Sequence, residues 1–279
     1  MKKILKVTGV ILLLLGLVMT ACASADTKKS GDEGKLQTSN LKSQTKKAPA
    51  PGKKQVKKYS IEFAKSILKG VDDSMYPKIF KSKMSMETHR KNRKTLKFVY
   101  EIHSEGGEKA LMEVVYPARD KGKKILLLEN NLWMYMPNVS RPIRLSRKQA
   151  FMGSTFSNED MTDSTWEDDY DPMITDEKGD LLLLTLKAKR NDVAYARIDM
   201  WVKKETRVPT EGVYYGLSGK PIKKIYFSNV QELAGLLRPL DMKMEDLLEE
   251  GAYTMVKMLE LKELDSVPSY MFDQTQLGR

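Results

Sequence analysis

The sequence predicts a mainly β domain with an α-helix at its start. Three observations carry that prediction. A 3.6-residue apolar period occurs once, early in the chain, and then gives way to a period of two that recurs to the C-terminus. Turn signals punctuate the second pattern at short intervals, and no helical segment separates successive strands. The sheet is therefore expected to be antiparallel.

The helix rests on Ile61, Ala64, Leu68, Val71 and Met75, spaced 3, 4, 3 and 4, with Ser60 as N-cap and Pro77 as terminator. The period of two follows in "SKMSMETHR", "TLKFVYEIHS", "KALMEVVYP", "KKILLLENNLWMYMP", "RPIRLS", "DLLLLTLKAK", "YARIDMWVKK", "TEGVYYGLSGKPIKKIYFSNV" and "YTMVKMLELKEL". Glu105-Gly106-Gly107, Asn130-Asn131 and Gly216 to Gly219 mark hairpins, and about nine to eleven strands are expected in all. Two stretches depart from the alternation. Residues 148–176 scatter Phe151, Met152, Phe156 and Trp166 among polar and acidic residues, with Ser157 and Asp160 spaced as a capping box. Residues 231–251 combine Leu236, Leu237, Leu240, Met242, Leu247 and Leu248 with an interrupting Pro239. Both read as short helices or ordered loops with one apolar side, to be buried against a face of the sheet. Strands apolar on both faces, "ILLL", "LWMYM" and "LLLLTL", leave two arrangements: a sheet packed on both sides, or an apolar concavity beneath those segments.

Ahead of the helix the chain reads as an export signal. Lys2, Lys3 and Lys6 precede a short apolar run, and Thr20-Ala21 supplies small residues before Cys22, the single cysteine of 279 residues. The apolar core is shorter than the roughly 20 residues that span a bilayer. Residues 1–21 are expected to be a lipoprotein signal peptide and Cys22 the acylated first residue. That leaves no free thiol for disulfides or catalysis. Residues 22–59 then form a disordered Lys-rich tether. Its 37 residues from Ala23 reach about 35 Å as a coil. The first sixty residues hold 13 Lys against 3 acids, a net of +10, so only +1 of the total +11 belongs to the rest. The charge sits in a leader and tether, not on a folded stripe, which argues against nucleic acid.

No chemistry emerges from residues 60–279, the predicted folded domain. His89 and His103 lie at the ends of strand-like runs and bring no triad or metal partners. Glu167, Asp168, Asp169 and Asp171 lack the glycine and alternation of a calcium loop and read as a solvated acidic loop. "GLSGK" is not a nucleophile elbow. The domain is expected to be no enzyme and to need no cofactor or metal. It is rich in methionine instead, with Met84, Met86, Met112, Met134, Met136, Met200, Met255 and Met258 on predicted strands. Methionine suits a surface that accepts apolar ligands of variable shape, and fills ordinary cores equally well.

"LWMYMPNVSRPIRL" followed by "FMGSTFSNEDM" resembles the outer-membrane lipoprotein-sorting protein family, the LolA/LolB-like carriers and receptors, over residues 61–279. By position the family's aromatic strand falls on Trp133, Tyr135 and Pro137, and the basic residues after it on Arg141 and Arg144. Gly153 to Asp160 match its next motif, except that Thr155 replaces the usual acid and Asn158 the usual tyrosine. Tyr215 and Gly219 match a later hairpin. The resemblance implies an incomplete, strongly curved antiparallel β-barrel whose concave face is an apolar cavity under helical lid segments. Its wall and lid would include Trp133, Met134, Tyr135, Met136, Phe151, Met152, Phe156, Leu236 and Leu237. Two acyl chains of about 15 methylenes each would face roughly 24 kcal/mol on entering water, so a carrier must offer such an enclosure. The implied partners are acyl chains of lipoproteins or other lipids, the membrane through the anchor, and an envelope transporter or carrier protein. The implied role is to accept or transfer acylated cargo, with lipid sensing as the alternative. Ala23 is not the aspartate that retains lipoproteins at the inner membrane. The expected location is therefore the periplasmic face of the outer membrane in a two-membrane host, and otherwise the outer face of the cytoplasmic membrane.

Overall fold

The computed structural model describes residues 59–278 apart from 130, 140 and 162–164. The predicted signal peptide, Cys22 and nearly all of the tether lie outside the described residues. Helix α1 (Ile61–Met75) opens with Ser60 accepting the Phe63 N–H at 3.1 Å. Its buried stripe is Ala64, Ile67, Leu68, Val71 and Met75; Ile61, expected on that stripe, is exposed. Tyr76 is extended before Pro77, which ends the helix.

Thirteen strands follow: β1 (Ile79–His89), β2 (Leu96–Glu105), β3 (Lys109–Tyr116), β4 (Lys124–Leu128), β5 (Asn131–Tyr135), β6 (Ile143–Leu145), β7 (Tyr170–Lys178), β8 (Leu181–Ala188), β9 (Arg197–Lys203), β10 (Pro209–Tyr215), β11 (Pro221–Leu233), β12 (Leu236–Asp246) and β13 (Tyr253–Glu263). All pair antiparallel in one curved sheet, ordered β6-β5-β4-β3-β2-β1-β13-β12-β11-β10-β9-β8-β7. Every neighbouring pair is a sequence neighbour except β1 and β13, whose pairing joins the two halves. The order ends at β6 and β7, so the barrel is not closed.

The two strands beyond the expected range, β7 and β12, lie in the two stretches read as helical. In β7 the inward Tyr170, Pro172 and Ile174 alternate with Asp171 and Met173, a period masked by the acids and the proline. In β12 the buried Leu240, Met242 and Met244 alternate with half-buried residues after a buried run of Arg238 and Pro239, while Leu236-Leu237 and the acidic residues imitate a helix face. Residues 231–251 are therefore a hairpin and not a lid. The other stretch keeps its expected place. Residues 146–169 connect edge strand β6 to edge strand β7 through two 3₁₀ turns (Phe151–Gly153, Glu159–Met161) and a single-turn helix α2 (Trp166–Asp169).

The sheet packs on both faces. α1 and residues 151–161 and 165–170 cover the inner face, whose core holds Met84, Tyr100, Ile125, Leu127, Leu182, Leu184 and Met200. On the outer face Leu111 and Leu126 meet Val267, Phe272 and Leu277 of the C-terminal segment. The doubly apolar "ILLL" is thus explained, since Ile125 and Leu127 face in and Leu126 faces out.

Candidate functional site

An apolar cleft runs between the inner face and the segment 146–169. Its first compartment is bounded by Asp72, Met75 and Tyr76 of α1 and its cap, Phe156 and Asp160 of the covering segment, Trp166 and Tyr170, and the inward Ile198, Tyr214, Ile225, Phe227, Met242 and Met244. A second compartment continues under Tyr76 and Asp160 to Phe80, Met84, Ile102, Met112 and Met161, and Met242 borders both. The compartments enclose about 750 and 470 Å³ of atom-free space including their open mouths. The cleft is narrow as it stands. Six of its lining residues are methionines, whose unbranched side chains can make way for a chain-like ligand.

The covering segment is pinned by buried polar groups. Ser157 and Asp160 form the predicted capping box, with Ser157 N–H donating to Asp160 Oδ2 at 2.6 Å and Asp160 N–H to Ser157 Oγ at 3.1 Å, here on a 3₁₀ turn. Asp160 Oδ2 also accepts the Tyr195 hydroxyl at 2.5 Å and lies 3.7 Å from Lys223 Nζ, which in turn donates to Tyr195 Oη at 2.9 Å. Burial raises the Tyr195 hydroxyl far above its ordinary range, helped by the neighbouring Asp160 charge, so the phenol stays protonated. Arg147 bridges Glu159 at 3.2 Å and Asp169 at 2.6 Å, and Arg190 meets Asp169 at 2.8 Å. Asp169 is buried in this network, which corrects its expected place in a solvated loop. Asp72 accepts the N–H groups of Trp166 and Glu167 at 3.1 and 3.0 Å, tying α2 to α1. Burial lifts the Asp72 carboxyl to about 7 against the pull of those two N–H groups, and lifts Glu159 to about 7 against Arg147.

The two positions that depart from the family motif fit their surroundings. Thr155 is buried; its N–H donates to Thr254 Oγ1 at 3.0 Å and its hydroxyl to the Met244 carbonyl at 2.8 Å. An ionised acid there has no hydrogen to give to a carbonyl. Asn158 is buried as well and donates its amide to the Ser146 carbonyl at 2.7 Å.

The residues expected to form wall and lid are only partly brought together. Phe156 lines the first compartment, Phe151 lies beneath the segment with its ring 5.7 Å from Tyr100, and Met152 adjoins the same core in a left-handed turn. Met134 packs towards the inner core, and Met136 is half-buried just beyond β5. Trp133 and Tyr135 alternate to the opposite face, where they pack against the outer cluster. Leu236 and Leu237 are exposed at the end of the β11–β12 hairpin, because that segment is strand. His89 stacks on Tyr253 at 4.6 Å and contacts Glu87 at 3.0 Å, and His103 sits within β2. The tyrosines Tyr76, Tyr170, Tyr195 and Tyr214 were not anticipated. They come from four separate places, the cap of α1, β7, the β8–β9 loop and β10, which only the tertiary fold brings together.

A protein-family model described as "Uncharacterized protein" matches residues 106–279, more than half of the chain. The comparison with curated proteins gives no match. Among solved structures, the chain is similar to a LolA superfamily protein from Nitrosomonas europaea, with 27% identity and a TM-score of 0.70 over 75% of this chain and 97% of the other. It is also similar to a DUF1329 family protein from Desulfovibrio piger, with 23% identity and a TM-score of 0.71 over 78% and 98%. A putative outer membrane lipoprotein-sorting protein domain from Vibrio parahaemolyticus gives 19% identity and a TM-score of 0.70 over 79% and 100%. With the family model matching most of the folded part and the LolA-type sheet matched over nearly the whole of each relative, the chain belongs to the LolA-like family.

Proposed function

We propose that this protein is a non-enzymatic, membrane-tethered component of the bacterial envelope that accepts or transfers acylated cargo, holding the acyl chains in the inner cleft. The observation that carries this reading is the cleft itself. Aromatic side chains and six methionines line it, and its polar residues Asp160, Tyr195, Asp169 and Asp72 are committed to holding the covering segment. The likeness to a LolA superfamily protein and to a lipoprotein-sorting domain supports the same reading. Cys22 supplies the anchor and the Lys-rich tether its reach, which makes a fixed receptor the better description than a diffusing shuttle.

The test uses the full chain, purified with its anchor in detergent and exchanged into buffer. A fluorescent palmitoylated peptide should bind saturably, be displaced by palmitate, and pass to liposomes faster than the peptide alone desorbs from an apolar phase into water. Saturable binding with no release to liposomes would replace transfer by lipid sensing. No saturable binding would remove the acyl-binding function.

A further inference from the structure

β13 is paired unequally on its two sides. It is in register with β1 from Tyr253 to Glu263, and β11 is in register with β12 out to Leu233 and Leu236. β12 and β13, however, pair only from Asp241 opposite Lys257 to Glu245 opposite Tyr253. Beyond Asp241 the two strands part.

The parting is built into the fold. Arg238, buried in the inward row of β12, donates Nη1 to the Asp73 carbonyl in the last turn of α1 at 2.7 Å, and Nε to the Leu233 carbonyl at 2.9 Å. A cation at the carbonyl end of a helix is favourably placed, and the contact draws the hairpin end towards α1. Pro239 brings no N–H to a ladder and is tolerated in a strand with one unpaired side. On the facing strand the register slips by one residue at Leu259.

The resulting seam is lined by Leu233, Leu240, Met258 and Leu261, rimmed by Gln231, Glu260 and Lys262, and contains about 780 Å³ of atom-free space open to solvent. The seam and the cleft share no lining residue, but their linings adjoin along both strands. On β12 the inward row runs Leu240, Met242, Met244, and Met242 borders both compartments. On β13 Met258 lies opposite Met84, which lines the second compartment. The covering segment makes a poorer way in. Opening it would break the bonds of Thr155, Asp160, Asp169 and Asp72, whereas the side chains that line the seam are apolar and the buried Arg238 bonds lie at its hairpin end.

We propose that the β12–β13 seam is a lateral portal through which a long saturated acyl chain enters and leaves the cleft. The polar rim lets the head of the lipid or lipoprotein remain in water. This rests on the reading of the cleft as an acyl-binding site.

A palmitate analogue with a diazirine in its chain, loaded on the full chain and photolysed, provides the test. Peptide mapping should find adducts on both cleft residues (Met84, Met242) and seam residues (Leu240, Met258, Leu261). Leu240→Trp, which fills the seam, should slow both loading and release about tenfold and leave the final occupancy unchanged. Cleft adducts without seam adducts, or unaltered rates in a folded Leu240→Trp variant, would overturn the portal and spare the cleft. Adducts at neither place would overturn the acyl-binding reading itself. Seam adducts competed by an extended apolar peptide, and not by palmitate, would make the seam a strand-docking edge instead.

Discussion

Tyr195 donates its hydroxyl to Asp160 Oδ2 at 2.5 Å, and this contact joins the covering segment to the inner face of the sheet. Tyr195 is buried and Asp160 half-buried, Tyr214 packs edge-on against the Tyr195 ring at 4.6 Å, and Lys223 approaches both polar atoms. Asp160 borders both compartments of the cleft, so the contact also fixes the partition between them.

Removing that hydroxyl by Tyr195→Phe keeps the ring packing and leaves Asp160 with Ser157 and Lys223. A hydrogen bond to a charged group contributes about 1.5–3 kcal/mol, and a domain of this size loses about 2–4 °C in Tm per kcal/mol. A drop of about 3–12 °C is expected by thermal unfolding, with faster amide exchange in residues 157–161. An unchanged Tm would remove this contact from the forces holding the segment.

At position 155 the structure distinguishes three side chains. Thr155→Ser keeps the hydroxyl donor to the Met244 carbonyl and should be nearly neutral. Thr155→Val removes it and should cost about 1–3 kcal/mol, the penalty for an unsatisfied buried group. Thr155→Asp, which restores the acid usual in the family motif, places an uncompensated buried charge beside that carbonyl and should cost about 3–5 kcal/mol. Urea midpoints that rank Asp above Val would contradict this placement of the hydroxyl.

Stability should fall as pH rises. Unfolded carboxylates titrate near 4, while Asp72 and Glu159 are lifted to about 7 in the fold, chiefly by burial. Between those values the folded state binds more protons than the unfolded state. Their contribution is therefore fully present below about 4 and lost as pH passes through about 7. The depressed carboxyls of Glu87 and Asp120 act below that window. The urea midpoint should be higher at pH 5 than at pH 8, and Asp72→Asn with Glu159→Gln should reduce the difference. Equal midpoints in the parent protein would defeat the assignment.

Cys22 is tested by maturation. Cys22→Ser should abolish incorporation of labelled palmitate and leave unprocessed precursor in the membrane fraction. Processing of the variant to the mature size would sink the lipoprotein reading of the leader.

Much of this fold can be read from local pattern, and the failures share one cause. Eleven of the strands, the N-cap at Ser60 and the capping box at Ser157 and Asp160 all depend on residues close in sequence. β7 and β12 escaped because Pro172 and Pro239 interrupt their alternation, and because a leucine-rich run with acidic residues has the composition of a helix. The site was harder to see than the fold. Phe156 was visible through its apolar side chain in a polar stretch, but the wall of tyrosines is assembled from a helix cap, a loop and two strands that are distant in sequence. The face of Trp133 depends on which side of β5 the C-terminal segment covers. A period of two says that Trp133 and Met134 point opposite ways, not which of them points inward.

The contrast between Trp133 and Phe156 gives the last prediction. Trp133 packs with Tyr135 against the outer cluster of Leu126, Val267, Phe272 and Leu277, and Phe156 borders the first compartment of the cleft. Truncating either large aromatic removes about 3–5 kcal/mol of packing in core-like surroundings; Trp133 is only half-buried, so its loss should fall at or below the lower end. Trp133→Ala should therefore lower the urea midpoint while leaving saturable palmitate binding intact in the folded protein. Phe156→Ala should change palmitate affinity about tenfold or more, because it alters the wall of the cleft. Titration of both variants with a fluorescent fatty acid, under conditions where circular dichroism shows each to be folded, separates the two faces. If Trp133→Ala abolishes binding and Phe156→Ala leaves it unchanged, the acyl site lies on the outer face, beneath the C-terminal segment.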